Sequence, residues 1–297
     1  MRARHPYNLK VERLPQEKLI FKIQRTIVNP TAAPASVDLR SKLPACYDQG
    51  SLGSCTANAL VGAYQSIEPS FFGSRLFLYY NGRMMINSIH YDSGATLYDG
   101  VACLKAYGMC REIDYPYIVR LFAVKPPQKC YTDALIHRVV TATNITQSAA
   151  SMKASLNAGY PFVIGFAVFA SFESGQVAAT GMVPMPSRGE RFLGGHAVLV
   201  VGYNDATQRW TVRNSWGNGW GDKGHFYVPY AYFLDPILSS DIWNIMAVTT
   251  PPPPPPPPPK PQPKPQPQPP PKPAPPKPTP PPPKPTPKPK PKPKPRR

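Results

Sequence analysis

The sequence predicts an α+β protein of two lobes with a cleft between them. Helical periodicity dominates up to about residue 107, and β-branched and aromatic runs dominate from about residue 160 to 230. With 297 residues, 41% of them hydrophobic, the chain has enough apolar material to bury a core in each lobe.

Residues 1–35 are charged and weakly patterned, and they end in the linker-like Asn29-Pro30-Thr31-Ala32-Ala33-Pro34-Ala35-Ser36, so they read as a separable leader or short pro-segment. Met1-Arg2-Ala3-Arg4 is followed by Glu12, Arg13, Glu17 and Lys18 rather than by an apolar run of signal-peptide length. An intracellular, cytoplasmic setting is the expectation. In the domain that follows, residues 36–250, Ala57, Leu60, Val61 and Tyr64 fall at helical spacing from Cys55 to Glu68, and Pro69 stops the run. Cys55 then lies in the first turn of a helix. Further helices are predicted over 74–86 and 97–107, the latter closed by Gly108. Strands are predicted within 160–170 and over 196–203, 209–213 and 224–228. The apolar runs at 162–169 and 197–201 are too short to span a bilayer, which predicts a soluble protein.

Residues 251–297 hold 30 of the 44 prolines, nine Lys, Arg296 and Arg297, with no acidic residue. Removing that +11 from the formal +18 leaves +7 on residues 1–250, so the basic charge says little about the globular part. Proline joins neither helix nor sheet ladders, which predicts a disordered, extended polyproline II tail of about 3 Å per residue, on the order of 140 Å at full stretch. The leading expectation is a solvated spacer with no dedicated partner; the alternatives its chemistry suits are proline-recognition grooves or polyanions such as nucleic acid or anionic membrane. Lacking aromatics for base stacking, it is not expected to read nucleic-acid sequence.

Five cysteines are present, and with Cys55 as a free thiol Cys46, Cys103, Cys110 and Cys130 are left for two disulfides or, in a reducing compartment, four buried thiols. No pair has CxxC spacing, and no metal is expected.

The strands at 196–203 and 209–213 flank the turn Asn204-Asp205-Ala206-Thr207. If they pair about a centre near Asp205, partner numbers sum to about 410, which sets His196 against Asn214. An Asn oxygen there can hold one imidazole nitrogen and leave the other to a thiol. Alone, His196 is more often a strand-end histidine, Asn214 a turn residue and Cys55 a core residue; their joint placement changes the reading. A helix start favours thiolate. Gly50 and Gly53 permit backbone close to a ligand, and the Gln49 amide can donate to an oxyanion together with the Cys55 N–H.

The segments Gln49-Gly50-Ser51-Leu52-Gly53-Ser54-Cys55, Gly195-His196-Ala197-Val198 and Asn214-Ser215-Trp216-Gly217 resemble the three signature blocks of papain-like cysteine peptidases, with His196 and Asn214 lying 141 and 159 residues after Cys55. The resemblance runs from about Ser36 to Asp241. It implies a papain-like fold, with a helical left lobe, a β-barrel-like right lobe and the active-site cleft between them. It further implies an endopeptidase acting on protein or peptide substrates without a cofactor. In that pattern Cys55 is the nucleophile, His196 the general base and then acid, Asn214 the orienter and Gln49 the oxyanion donor. Trp216 would shield the His196–Asn214 bond, and Asp92-Ser93-Gly94 would supply a wall that pairs with substrate backbone. Gly53, Gly94, Gly195 and Trp216 are thus the candidate substrate-binding residues. Many secreted members carry a cysteine and a tryptophan where this chain has Leu52 and Thr56, and a much longer propeptide. A monomer is expected. The alternative is a catalytically idle papain-like binding protein tethered by its basic tail.

Overall fold

The computed structural model describes Pro6, Tyr7, Leu9 and residues 34–249. The polyproline II reading of 251–297 and the linker reading of 29–33 lie outside the described residues.

Small residues decide the packing of α1 (Cys55–Gln65), which is buried along its whole length. A side chain at Gly62 would crowd Leu199 at 3.2 Å, so its absence lets the helix lie against β4 (Phe192–Asn204). The helix ends three residues before the predicted Glu68, because the i to i−3 bond from Ile67 N–H to Tyr64 O (3.0 Å) tightens its last turn ahead of Pro69. Next come α2 (Arg75–Met85), whose N-cap Ser74 accepts from Phe77 N–H, and α3 (Leu97–Ala106), whose N-cap Thr96 accepts from Asp99 N–H. Both lie within a residue of prediction.

The predicted strands appear as β3 (Phe162–Phe169), β4, β5 (Arg209–Arg213) and β6 (His225–Pro229). They belong to one antiparallel sheet of order β2-β7-β3-β4-β5-β6, which also includes β1 (Ser36–Asp38), paired to β4, β2 (Val139–Asn144) and β7 (Ser239–Val248). Four shorter helices complete the described chain: α4 (Gln128–Ala134), α5 (Ala149–Asn157), α6 (Gly175–Thr180) and α7 (Tyr230–Leu234).

Successive side chains of a strand face opposite sides, and β4 uses this to serve two cores. Ala197, Leu199 and Val201 join the α1–α3 helices in the helical lobe. Val198 and Val200 join Phe162, Trp210 and Phe226 on the other face. The fold is thus the α+β two-lobed arrangement. All five cysteines are free and buried. Among the described residues no helix is long and apolar enough to cross a membrane, and no group of three or more His, Cys, Asp or Glu is placed to hold a metal.

Candidate active site

Cys55 opens α1 with unusual helix chemistry. The cap position is Ser54, yet its side chain caps nothing, because its hydroxyl is engaged by the Tyr117 hydroxyl and by Asn58 Nδ2 at 3.0 Å. The first-turn N–H groups are therefore left to stabilise negative charge at the thiol or at a bound oxygen, whereas α2, α3 and α5 have theirs capped. Burial pushes the Cys55 thiol up to about 11, opposed by the backbone amides of Ala197, Thr56 and Cys55, while the Asp92 charge adds to the rise. The Ala197 amide brings the sulfur to β4 at the residue after His196.

His196 is fully buried, and its Nε2 meets Asn214 Oδ1 at 2.8 Å. Asn214 Oδ1 also accepts the Ser215 N–H at 2.9 Å, so the amide is held from two sides. The hairpin differs in detail from expectation. Its turn spans 205–208 and its partners sum to 412 or 413, as in Leu199↔Arg213 and Tyr203↔Trp210, with a bulge between Val200 and Gly202. Asn214 lies just past the end of β5, and its side chain reaches His196 despite the shift. Trp216 stacks on the imidazole at 5.2 Å and 27°.

Gln49 arrives by strand-like pairing with the loop after β5. Its N–H donates to Ser215 O at 2.8 Å, and Asp48 bridges Trp216. Its side chain is fully buried, with Oε1 accepting from Ser215 Oγ at 2.5 Å and Nε2 donating to Leu52 O at 3.0 Å. A primary amide has two N–H groups, so one remains for an oxyanion. Arg75 supports this corner from beneath. Its guanidinium pairs with Glu112 at 2.7 Å and lies 4.2 Å over the Tyr117 ring, whose hydroxyl donates to Gln49 O at 2.9 Å.

The segment Asp92-Ser93-Gly94 is tied to the loop before Cys55, because the Gly53 N–H donates to Asp92 at 3.0 and 3.1 Å. Gly195 borders a different neighbour. Leu9 N–H donates to Gly195 O at 3.1 Å, and the Tyr7 ring meets His196 and Trp216 edge-on at 6.1 and 6.0 Å. A Cβ on Gly194 would lie 2.5 Å from Tyr7 Cβ, and one on Gly195 2.9 Å from Leu9 O, so these glycines make room for Tyr7 and Leu9. The sequence carried no sign of that contact.

A second thiol–imidazole pair also escaped sequence reading. Cys46 Sγ lies 3.8 and 3.7 Å from the two ring nitrogens of His225. Burial, then the charges of Arg213 and Arg40, push His225 down to about 4. An imidazole of that basicity is a poor proton acceptor, and Cys46 stands at no helix start.

A family model described as papain family cysteine protease matches residues 33–232. The chain belongs to the papain family. It is 44% identical over 218 residues to an uncharacterized peptidase C1-like protein of Acanthamoeba polyphaga mimivirus, covering 69% of this chain and 70% of that one. Cysteine proteinase 2 of Entamoeba histolytica is 29% identical over 207 residues, covering 65% of this chain and 62% of the relative. Among solved structures, xylellain, a cysteine protease from Xylella fastidiosa, superposes with a TM-score of 0.72 at 33% identity, covering 84% of this chain and 98% of that one. This papain-family protein is a cysteine endopeptidase, a hydrolase of peptide bonds.

Proposed function

We propose that the endopeptidase works through Cys55, His196, Asn214 and Gln49. The Cys55 thiolate attacks the scissile carbonyl, while the Gln49 amide and the Cys55 N–H hold the oxyanion. His196, having taken the thiol proton, gives it to the leaving amine, and water activated by His196 then releases the acyl group and restores the thiol. The observation that carries this reading is the 2.8 Å contact between His196 and Asn214 under Trp216, beside a thiol at an uncapped helix start. Gly53, Gly94, Gly195 and Trp216 are proposed as the surfaces that meet substrate.

A peptide-library cleavage assay tests the assignment. Cys55→Ala should abolish turnover, and an epoxide directed at active-site thiols should label Cys55 far faster than Cys46; full activity in Cys55→Ala would overturn it.

The chain divides, in this reading, into a leader (1–35), a peptidase domain (36–250) and a basic proline-rich tail (251–297). The leader is a built-in competitor for the cleft, supported by Tyr7 against His196 and Leu9 against Gly195. The tail is proposed to adhere to polyanions or proline-recognition domains on a monomeric enzyme. Size-exclusion mass measurement and heparin retention with and without 251–297 check both points, with an unchanged salt dependence counting against the electrostatic idea.

A further inference from the structure

The loop that carries the nucleophile holds itself through bonds such as Gln49 Nε2 to Leu52 O and Ser54 N–H to Leu52 O, and at Gly53 it gains a further anchor from outside. The anchor lies on the opposite side of the segment, at Asp92. Its carboxylate oxygens lie 3.1 and 3.0 Å from the Gly53 N–H, two residues before Cys55. Asp92 is held in turn by α2, where the Tyr79 hydroxyl donates to Asp92 Oδ1 and accepts the Gly94 N–H at 3.1 Å.

One turn further along the same helix, the fully buried Arg83 donates to Ile89 O at 2.9 Å and to Tyr91 O at 2.8 Å. These bonds bind the approach to Asp92 to the helix. The chain of contacts therefore runs from the buried face of α2 through Asp92 to the nucleophile loop.

We propose that Asp92 is a positioning residue for the peptidase reaction, fastening the Gly53 amide to α2 so that Cys55 and its oxyanion-binding N–H are held in register. The inference rests on Cys55 being the nucleophile. Geometry of this kind is steeply felt, because a displacement of ~1 Å in a reacting group can change a rate about 10²-fold. The carboxylate has an opposing effect as well. Its negative charge disfavours the Cys55 thiolate, in the direction already noted for the thiol. Positioning and charge thus act with opposite sign on the nucleophile, and they can be separated by substitution.

Asp92→Asn keeps an oxygen for Gly53 and removes the charge, whereas Asp92→Ala removes both. The experiment measures kcat and KM on a fluorogenic peptide, and the pH dependence of Cys55 alkylation by iodoacetamide, in the full chain. Asp92→Ala should lose roughly tenfold or more in kcat with KM within about threefold, and Asp92→Asn should retain most of kcat. In both, the alkylation midpoint should move to lower pH. Tyr79→Phe, which removes a bond to Asp92 and leaves the carboxylate, should lower kcat in the same direction and by less.

Wild-type kcat in Asp92→Ala and in Tyr79→Phe would overturn the proposal, wherever the alkylation midpoint lies and even if their melting temperatures fell. If Asp92→Ala does not fold, Tyr79→Phe decides it by kcat, a lowered value supporting the proposal and a wild-type value overturning it. Retained turnover in Cys55→Ala would instead sink the assignment of the nucleophile, so the two failures are distinguishable.

Discussion

Replacing Tyr7 with alanine should uncover His196 and Trp216. The ring makes two edge-on aromatic contacts, with His196 and Trp216, at 6.1 and 6.0 Å. Such pairs contribute about 0.5–1.5 kcal/mol each beyond their buried area. The hydroxyl donates to Glu173 Oε1 at 2.6 Å. A hydrogen bond to a charged group contributes about 1.5–3 kcal/mol, and the exposed position of this one argues for the lower end. The lost contacts then total about 2.5–4.5 kcal/mol, or roughly 70- to 2,000-fold in the equilibrium between covered and open cleft. An intramolecular competitor lowers the fraction of enzyme able to bind, so the change should appear in KM while kcat stays constant. The assay is initial-rate cleavage of a fluorogenic peptide by wild type, Tyr7→Ala and Tyr7→Phe. KM should fall at least tenfold in the alanine variant and by an intermediate factor in the phenylalanine variant. Uncovering the site also hydrates Cys55; burial raises its pKa, so exposure lowers it, and alkylation should become faster at neutral pH. Unchanged KM in both variants, or a loss confined to kcat, would refute the reasoning.

Three further outcomes are expected. Asn214→Ala removes the buried acceptor that His196 Nε2 meets, so it should lower kcat roughly 5- to 150-fold, the equivalent of about 1–3 kcal/mol, in steady-state assays and lower the melting temperature as well. Gln49→Ala should lower kcat about 10²- to 10³-fold with the Cys55 alkylation rate nearly preserved, since it removes an oxyanion donor and leaves the thiol. His225 is depressed to about 4 from an ordinary 6.5, so the unfolded chain binds more protons between those values and stability is lost as pH falls through that window. The contribution is on the order of 2–3 kcal/mol; His225→Gln should flatten the difference between thermal melts at pH 4.5 and pH 7, and an unaltered difference would count against it.

The fold was legible where patterning was local. The helix at Cys55 and the strand at Arg209 follow from side-chain periodicity over a few residues. Residues 239–248 are a strand that went unread because Ser239, Ser240, Asp241 and Asn244 interrupt the apolar alternation. Pairing with both β2 and β3 makes the strand there, a tertiary effect that overrides local preference. In the site, His196 and Asn214 could be brought together from the hairpin alone, although the bulge and a turn displaced by one residue shifted the register. Asp92 was noticed only as part of a wall, since its partner Gly53 lies 39 residues away and no spacing rule links them. The Tyr7 and Leu9 contacts, like Cys46 beside His225, join segments more than 165 residues apart and leave no local pattern.

Because β4 sends alternate side chains to two different cores, His196 shares its face with Val198 and Val200, while Ala197, beside the thiol, belongs to the other. A slip of one residue in this strand would exchange the two sets at a stroke, burying the imidazole among the helices and turning Leu199 toward the aromatic core. No partly shifted sheet can retain the base in place. Turnover in this enzyme therefore doubles as a readout of strand alignment, and refolded material that has the right secondary structure but the wrong alignment should be silent rather than slow.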